Sequence, residues 1–250
     1  MNHKSENIEL QFSRSKKQLA VLIDPDKWNI QDTANQIKLF EASGVDYLFI
    51  GGSLNVTNDF NARVLAIKNQ TRLPLILFPG HPTQLTQHVD ATLFLSLISG
   101  RNPEYLIGHH VVSAPYLNAW KQEVIPTGYL LVESTQTTTA VYISQTLPVP
   151  FNKPDVAAAT ALAGKYLGMR AMFLDTGSGA KETVSNEMVL AVKRATELPL
   201  IVGGGIRTDQ DAQRLWKAGA DIVVLGTAIE ENPTLLFDIQ KPNQHDTQTL

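Results

Sequence analysis

Eight short runs of aliphatic and β-branched residues recur along the chain, each followed by a turn and a longer stretch with apolar residues at helical spacing. This repeat limits the fold more than any other feature, because alternating β and α segments pack as a parallel sheet covered by helices. The runs fall at 19–24, 47–50, 75–78, 91–95, 124–132, 171–175, 200–202 and 222–225. Most are apolar throughout rather than alternating, as parallel strands buried on both faces require. Eight βα units predict an α/β protein closed into a (β/α)8 TIM barrel. An open doubly wound sheet is the competing arrangement, but it carries its glycine fingerprint after the first strand, and here glycines crowd the last three. A length of 250 residues suits one such barrel, so a single domain over 1–250 is expected.

One connection departs from the repeat. Residues 79–90 hold two prolines and a glycine between the third and fourth strands, which leaves no room for a full covering helix. A long amphipathic stretch follows at 102–120, rich enough in aromatic and apolar side chains for a subunit contact, and an alanine-rich helix is expected at 154–168. Residues 133–153 form a long, threonine-rich segment after strand five, at the end of the barrel where loops build active sites. The tail from Lys241 is polar and is expected to fray.

Composition excludes several function classes. A net charge of −3 gives no broad basic field, which argues against nucleic acid as the main partner and against a purely electrostatic hold on a membrane. The chain has no cysteine, so disulfides, thiolate metal sites and cysteine nucleophiles are ruled out. Residues 1–17 are polar and lack the apolar core of a signal peptide, and no run approaches the ~18 apolar residues of a spanning helix. A cytoplasmic location is expected, with transient membrane contact at most.

The residues that carry chemistry gather after three consecutive strands. Asp175, Thr176, Gly177, Ser178 and Gly179 follow strand six, Gly203, Gly204 and Gly205 follow strand seven, and Gly226 and Thr227 follow strand eight. Glycines let backbone N–H groups approach an anion closely, and the next helix adds its positive end. In barrels this corner commonly binds phosphate. Tight βα turns also favour glycine, so the turns have a purely structural explanation beside the functional one. Across the mouth, strand one ends in Asp24, followed by Asp26 and Lys27, and Gly51, Gly52 and Ser53 follow strand two. One carboxylate with a hydroxyl suffices for magnesium when phosphates and water complete the shell, and Lys27 would neutralise a second phosphate. The structural alternative is a helix cap with a solvated lysine. Asp175 is placed to accept a proton from a substrate hydroxyl, with Glu133 as a second carboxylate and Arg207 as support for the loop or the phosphate. His81, His88, His109 and His110 show no metal spacing, and the last two sit in a helical pattern that suits packing or surface roles.

With VLIDPDK, YLFIGGS, LFPG, NPEYLIGHHVVSAP, EVIPTGYLLVES, FLDTGSGA, IVGGGIRT and VVLGTAIEEN in order, the chain resembles the geranylgeranylglyceryl phosphate synthase family from Val21 to Asn232. The resemblance implies a modified barrel whose third helix is replaced by non-helical chain. It also implies magnesium-dependent transfer of a prenyl group from a prenyl diphosphate, geranylgeranyl diphosphate by preference, to sn-glycerol 1-phosphate. Magnesium would then associate with Asp24 and Ser53 on the diphosphate side, beside Lys27. Glycerol phosphate would take Phe173, Leu174, Asp175, Thr176, Gly177, Ser178, Gly179, Gly203, Gly204, Gly205, Gly226 and Thr227. Where this family usually has tyrosine and glutamate, the chain has Phe173 and Asp175, which removes a hydroxyl and retracts a carboxylate by one methylene. Two other readings stay open: a phosphosugar isomerase or aldolase, which needs a second acid/base or a Schiff-base lysine near a strand end, and a phospholigand-binding barrel without turnover. A homo-oligomer is expected.

Overall fold

A computed structural model describes residues 7–13, 16–54 and 58–242. Eight parallel strands close on themselves: β1 (Gln18–Ile23), β2 (Tyr47–Ile50), β3 (Leu75–Leu77), β4 (Ala91–Leu97), β5 (Glu123–Leu131), β6 (Ala171–Asp175), β7 (Leu200–Gly203) and β8 (Ile222–Leu225). Each pairs with its sequence neighbour, and β1 pairs with β8 from Gln18↔Ile222 to Val21↔Leu225. The expected barrel is therefore present, with strand positions within a few residues of the apolar runs. The helices are α1 (Ile8–Phe12), α2 (Thr33–Ala42), α3 (Phe60–Lys68), α4 (His109–Trp120), α5 (Thr139–Ser144), α6 (Pro154–Tyr166), α7 (Asn186–Thr196), α8 (Asp209–Ala218) and α9 (Thr227–Glu231). Among the described residues no helix is long and apolar enough to cross a membrane.

Side chains alternate across each strand, so a closed barrel has two cores. Ala20, Tyr47, Phe49, Ile76, Leu93, Ile125, Phe173 and Ile201 fill the inside. Leu19, Val21, Ile23, Leu48, Leu75, Met172, Leu174 and Val202 face the surrounding helices. This phase decides where the polar strand ends point. Carried one step past β1 it turns Asp24 to the axis, and along β6 it puts Phe173 and Asp175 inward and Leu174 outward.

Between β3 and β4 the chain makes only a 3-10 turn at Pro82–Gln84 and no α-helix, as the prolines require. Buried Gln84 fastens this segment, accepting from Gly80 N–H at 2.7 Å and donating to the Gly52 carbonyl at 2.9 Å. The stretch expected as one helix at 102–120 opens instead with a π turn, Glu104–Gly108, before α4. Lys241 is held in place, donating to the Gly44 carbonyl at 2.6 Å and to Asp46 at 2.8 Å. Its expected fraying is thereby corrected at that residue, and the rest of the tail from 243 lies outside the described residues.

The polar N-terminal stretch hides a structural element. Ile8 and Phe12, one helical turn apart, enter the inner core at the lower end of the barrel, where Phe12 meets Tyr47 edge to face at 5.3 Å. The Glu123 carboxylate accepts the Ile8 and Glu9 N–H groups at 3.0 and 2.8 Å, fixing the N-terminal end of α1. Phe12→Ala leaves a cavity in a closed core and is expected to lower unfolding free energy by about 3–5 kcal/mol. Denaturant titration checks this; a loss below about 1 kcal/mol would mean that α1 is not a working plug.

Candidate active site

The C-terminal strand ends surround a cavity of about 420 Å³. Its wall brings together Asp24, Asp26, Lys27, Gly52, Ser53, Phe173, Asp175, Gly177, Ser178, Gly179, Gly203, Gly204, Gly205, Arg207, Gly226 and Thr227. Most of the residues singled out from the sequence thus meet at one place. Leu174 and Thr176 do not line it. Leu174 packs outward against the helices because it is out of phase with Asp175, and Thr176 is buried beneath the Gly204 turn. Glu133 lies outside as well; its carboxylate accepts the Phe151 N–H at 3.3 Å in the loop after β5.

Asp175 is the buried carboxylate of the wall. Its two oxygens accept from the Tyr129 hydroxyl and the Gly177 N–H, both at 2.6 Å. Burial raises its pKa above the ordinary 3.8, while those two hydrogen bonds work against the rise. The Tyr129 hydroxyl is held well above its usual range by burial and by the neighbouring carboxylate, so it stays a donor. Tyr129 was not singled out from the sequence. It sits within an apolar run, and its meaning comes from the β5–β6 register, which sets Tyr129 beside Phe173. Phe78, Tyr129 and Phe173 form an aromatic floor with ring centroids 4.9–5.7 Å apart.

The turn after β7 shows why glycine is required there. Gly204 has φ of +83°, and a Cβ at that position would lie 2.3 Å from Thr176 Oγ1 and 2.7 Å from Asp175 Oδ1. Ser178 and Thr227 hydroxyls meet at 3.2 Å, tying the β6 and β8 turns together. The expected help from the helix after β7 is not available in simple form. The Arg207 and Thr208 N–H groups donate to Asp211, within a Thr208–Asp211 capping box, so that helix end is already satisfied. Backbone of the three turns, rather than the end of α8, faces the cavity.

On the opposite side Lys27 Nζ lies 3.6 Å from Asp24 and 3.5 Å from Glu230, with its side chain 58% exposed. A lysine so paired and hydrated lacks the desolvation that makes a Schiff-base nucleophile, which removes the main support for the aldolase alternative. Burial raises the Asp24 pKa, and its oxygens would lie 3.0–3.1 Å from a Cβ at Gly52, so glycine lets this carboxylate rest against the β2 turn. Among the described residues no cluster of three or more histidine or acidic side chains forms a metal cage. Asp24 with Ser53 on the same wall still fits magnesium, whose shell is commonly completed by substrate phosphates and water.

A second opening joins the first. An apolar groove runs between the non-helical 79–90 segment and α4, and it shares Gly52, Ser53, Phe78, Tyr129 and Ala140 with the cavity. His81, His109 and His110 form part of its wall. His110 is almost fully buried in that wall with Nε2 3.0 Å from Ser96 Oγ, and His109 is more exposed and meets His81 edge to face at 4.9 Å. His88 lines neither opening.

Glycine turns after β6, β7 and β8, facing an acidic and basic corner after β1 and β2, define a (β/α)8 barrel of the phosphate-binding class. The chain matches the PcrB family over residues 12–242, and it belongs to that family. It is 48% identical over 223 residues to a geranylgeranylglyceryl phosphate synthase of Chitinophaga pinensis, covering 89% of this chain and 88% of that one. A protein of the same name from Methanothermobacter marburgensis is 42% identical over 211 residues, covering 84% and 85% of the two chains. The structure superposes with TM-score 0.86 on (S)-3-O-geranylgeranylglyceryl phosphate synthase of Thermoplasma acidophilum in complex with its substrate sn-glycerol-1-phosphate. That pair shares 34% identity, with 93% and 95% of the chains covered.

Proposed function

We propose that this protein is a prenyltransferase that joins the C3 hydroxyl of sn-glycerol 1-phosphate to a long prenyl diphosphate, geranylgeranyl diphosphate by preference. The observation that carries the reading is the junction, at Ser53, Phe78 and Tyr129, of a glycine-lined cavity that holds Asp24, Lys27 and Asp175 with an apolar groove. A phosphate-bearing acceptor and a hydrocarbon-bearing donor need these two surfaces to meet. The names of the relatives, and the substrate named for the Thermoplasma protein, support the same assignment.

In this reading the backbone of the Ser178–Gly179, Gly204–Gly205 and Gly226–Thr227 turns holds the glycerol phosphate, with its free terminal hydroxyl toward Asp175. The prenyl tail lies in the groove, and its diphosphate reaches the Asp24, Lys27 and Ser53 corner. Magnesium held by Asp24 and Ser53 would balance the charge that builds on the departing diphosphate. The glycerol oxygen forms a bond to the allylic carbon as the bond from that carbon to diphosphate breaks, and Asp175 takes the hydroxyl proton. Holding both substrates turns a collision into an oriented attack. Tyr129 keeps Asp175 in place, and the aromatic floor faces the carbon that gains cationic character. The exposed Val111, Val112 and Tyr116 on α4 support assembly as a homo-oligomer.

The test is transfer of label from sn-glycerol 1-phosphate into an organic-soluble product, with prenyl diphosphates of graded length, with and without magnesium, and sn-glycerol 3-phosphate as control. Product from the 1-phosphate alone, requiring magnesium, is expected. No product from any prenyl donor would overturn the transferase reading.

A further inference from the structure

The segment after β5 contains no charged residue between Glu133 and Lys153, in a chain whose charged fraction is 18%. Within it, Tyr142 and Leu147 are 76% and 86% exposed and border, with Ile143, one shallow hollow on the surface. Single exposed apolar side chains need no explanation, but here they share one uncharged stretch. The same stretch reaches the groove, because Ala140, Ile143 and Ser144 are part of its wall. The segment is anchored from behind: Asn102 donates to the Ser144 carbonyl at 2.8 Å, and the Ser144 and Thr146 hydroxyls meet at 2.9 Å.

We infer that α5 and the turn through Leu147 form a docking rim that seats the groove mouth on a lipid bilayer. The occupant follows from the chemistry of the patch. It has no charge to pair with a protein or nucleic-acid surface, it presents aliphatic side chains beside a tyrosine, whose apolar ring and polar hydroxyl suit the membrane interface, and it is continuous with an apolar groove. The inference rests on the proposed use of a long prenyl donor. Such an amphiphile partitions into bilayers, and a groove opening at the membrane surface would receive the tail without carrying it through water.

The test is flotation of the full-length protein with phosphatidylcholine vesicles lacking any substrate, so that its result is independent of whether the transferase reading holds. Wild type is expected to float with the vesicles, and Y142S/L147S to show about tenfold weaker binding, as loss of buried apolar area implies. Neither residue lines the cavity or the groove. With donor dispersed in detergent the variant should therefore turn over at the wild-type rate, whereas with donor embedded in vesicles it should lag. Failure of wild type to float, equal flotation of the two proteins, or a change confined to oligomeric state in sedimentation would each overturn the proposal.

Discussion

Asp175→Asn is expected to lower kcat by about 10²–10⁴, the usual contribution of a positioned general base, while leaving the dissociation constant for sn-glycerol 1-phosphate nearly unchanged. Asparagine has the same shape, and its amide can still accept the Gly177 N–H and meet the Tyr129 hydroxyl. The fold should not suffer. Burial raises the Asp175 pKa in the folded protein, so the folded chain binds this proton more tightly than the unfolded one. That contribution to stability is present below the ordinary carboxylate value and is lost as pH rises through the folded pKa, above which the ionised carboxylate is a burden on the fold. The melting temperature of the variant should match or exceed that of wild type. In the wild-type rate profile the same shift puts the acid limb above the ordinary 3.8. Tyr129→Phe removes a hydrogen bond that holds this pKa down and should move the limb higher still. Unchanged turnover in Asp175→Asn, or an acid limb that ignores Tyr129, would remove Asp175 as the base.

These expectations join two residues of which only one was legible in the sequence. Asp175 ends an apolar run next to a glycine turn, and Asp24 ends the apolar run of β1, so the phase of alternation aims both at the barrel axis. Tyr129 reads as one more β-forming residue until pairing sets it beside Phe173. That pairing also bears on the absence of a tyrosine at position 173, since a phenolic hydroxyl reaches the Asp175 carboxylate from the neighbouring strand.

The same distinction runs through the rest of the fold. Strands, the missing third helix and the glycine turns are local properties, set by apolar runs, by proline and by the φ that glycine permits, and they were legible. The α1 plug was not, because Ile8, Leu10 and Phe12 alternate as in a strand within a polar stretch, and only the barrel end that receives Ile8 and Phe12 while Leu10 stays exposed reveals the helix. Likewise His109 and His110 keep a helical period whether they face a core or a groove, and only the position of α4 against the 79–90 segment decides between the two.

Substitution at Gly204 is where the closeness of the turns can be separated from their backbone conformation. Gly204→Ala meets two penalties: a φ of +83°, which an L side chain adopts reluctantly, and a Cβ 2.3 Å from Thr176 Oγ1 and 2.7 Å from Asp175 Oδ1. Gly179→Ala meets only the first, since its φ is +77° and nothing lies within 4 Å of the added carbon. The shared backbone term is about 1 kcal/mol. Relief of the contact at Gly204 must push the β6 turn and the Asp175 carboxylate away, since the opposing atoms include the Thr176 backbone nitrogen at 2.8 Å. A displacement of this kind at a positioned base is expected to lower kcat/KM by roughly 10² or more beyond the loss in Gly179→Ala, with weaker binding of sn-glycerol 1-phosphate. Calorimetry and steady-state rates on the two variants measure the difference directly. Equal losses would mean that glycine at 204 serves only its φ, and that the β7 turn does not hold Asp175 in place.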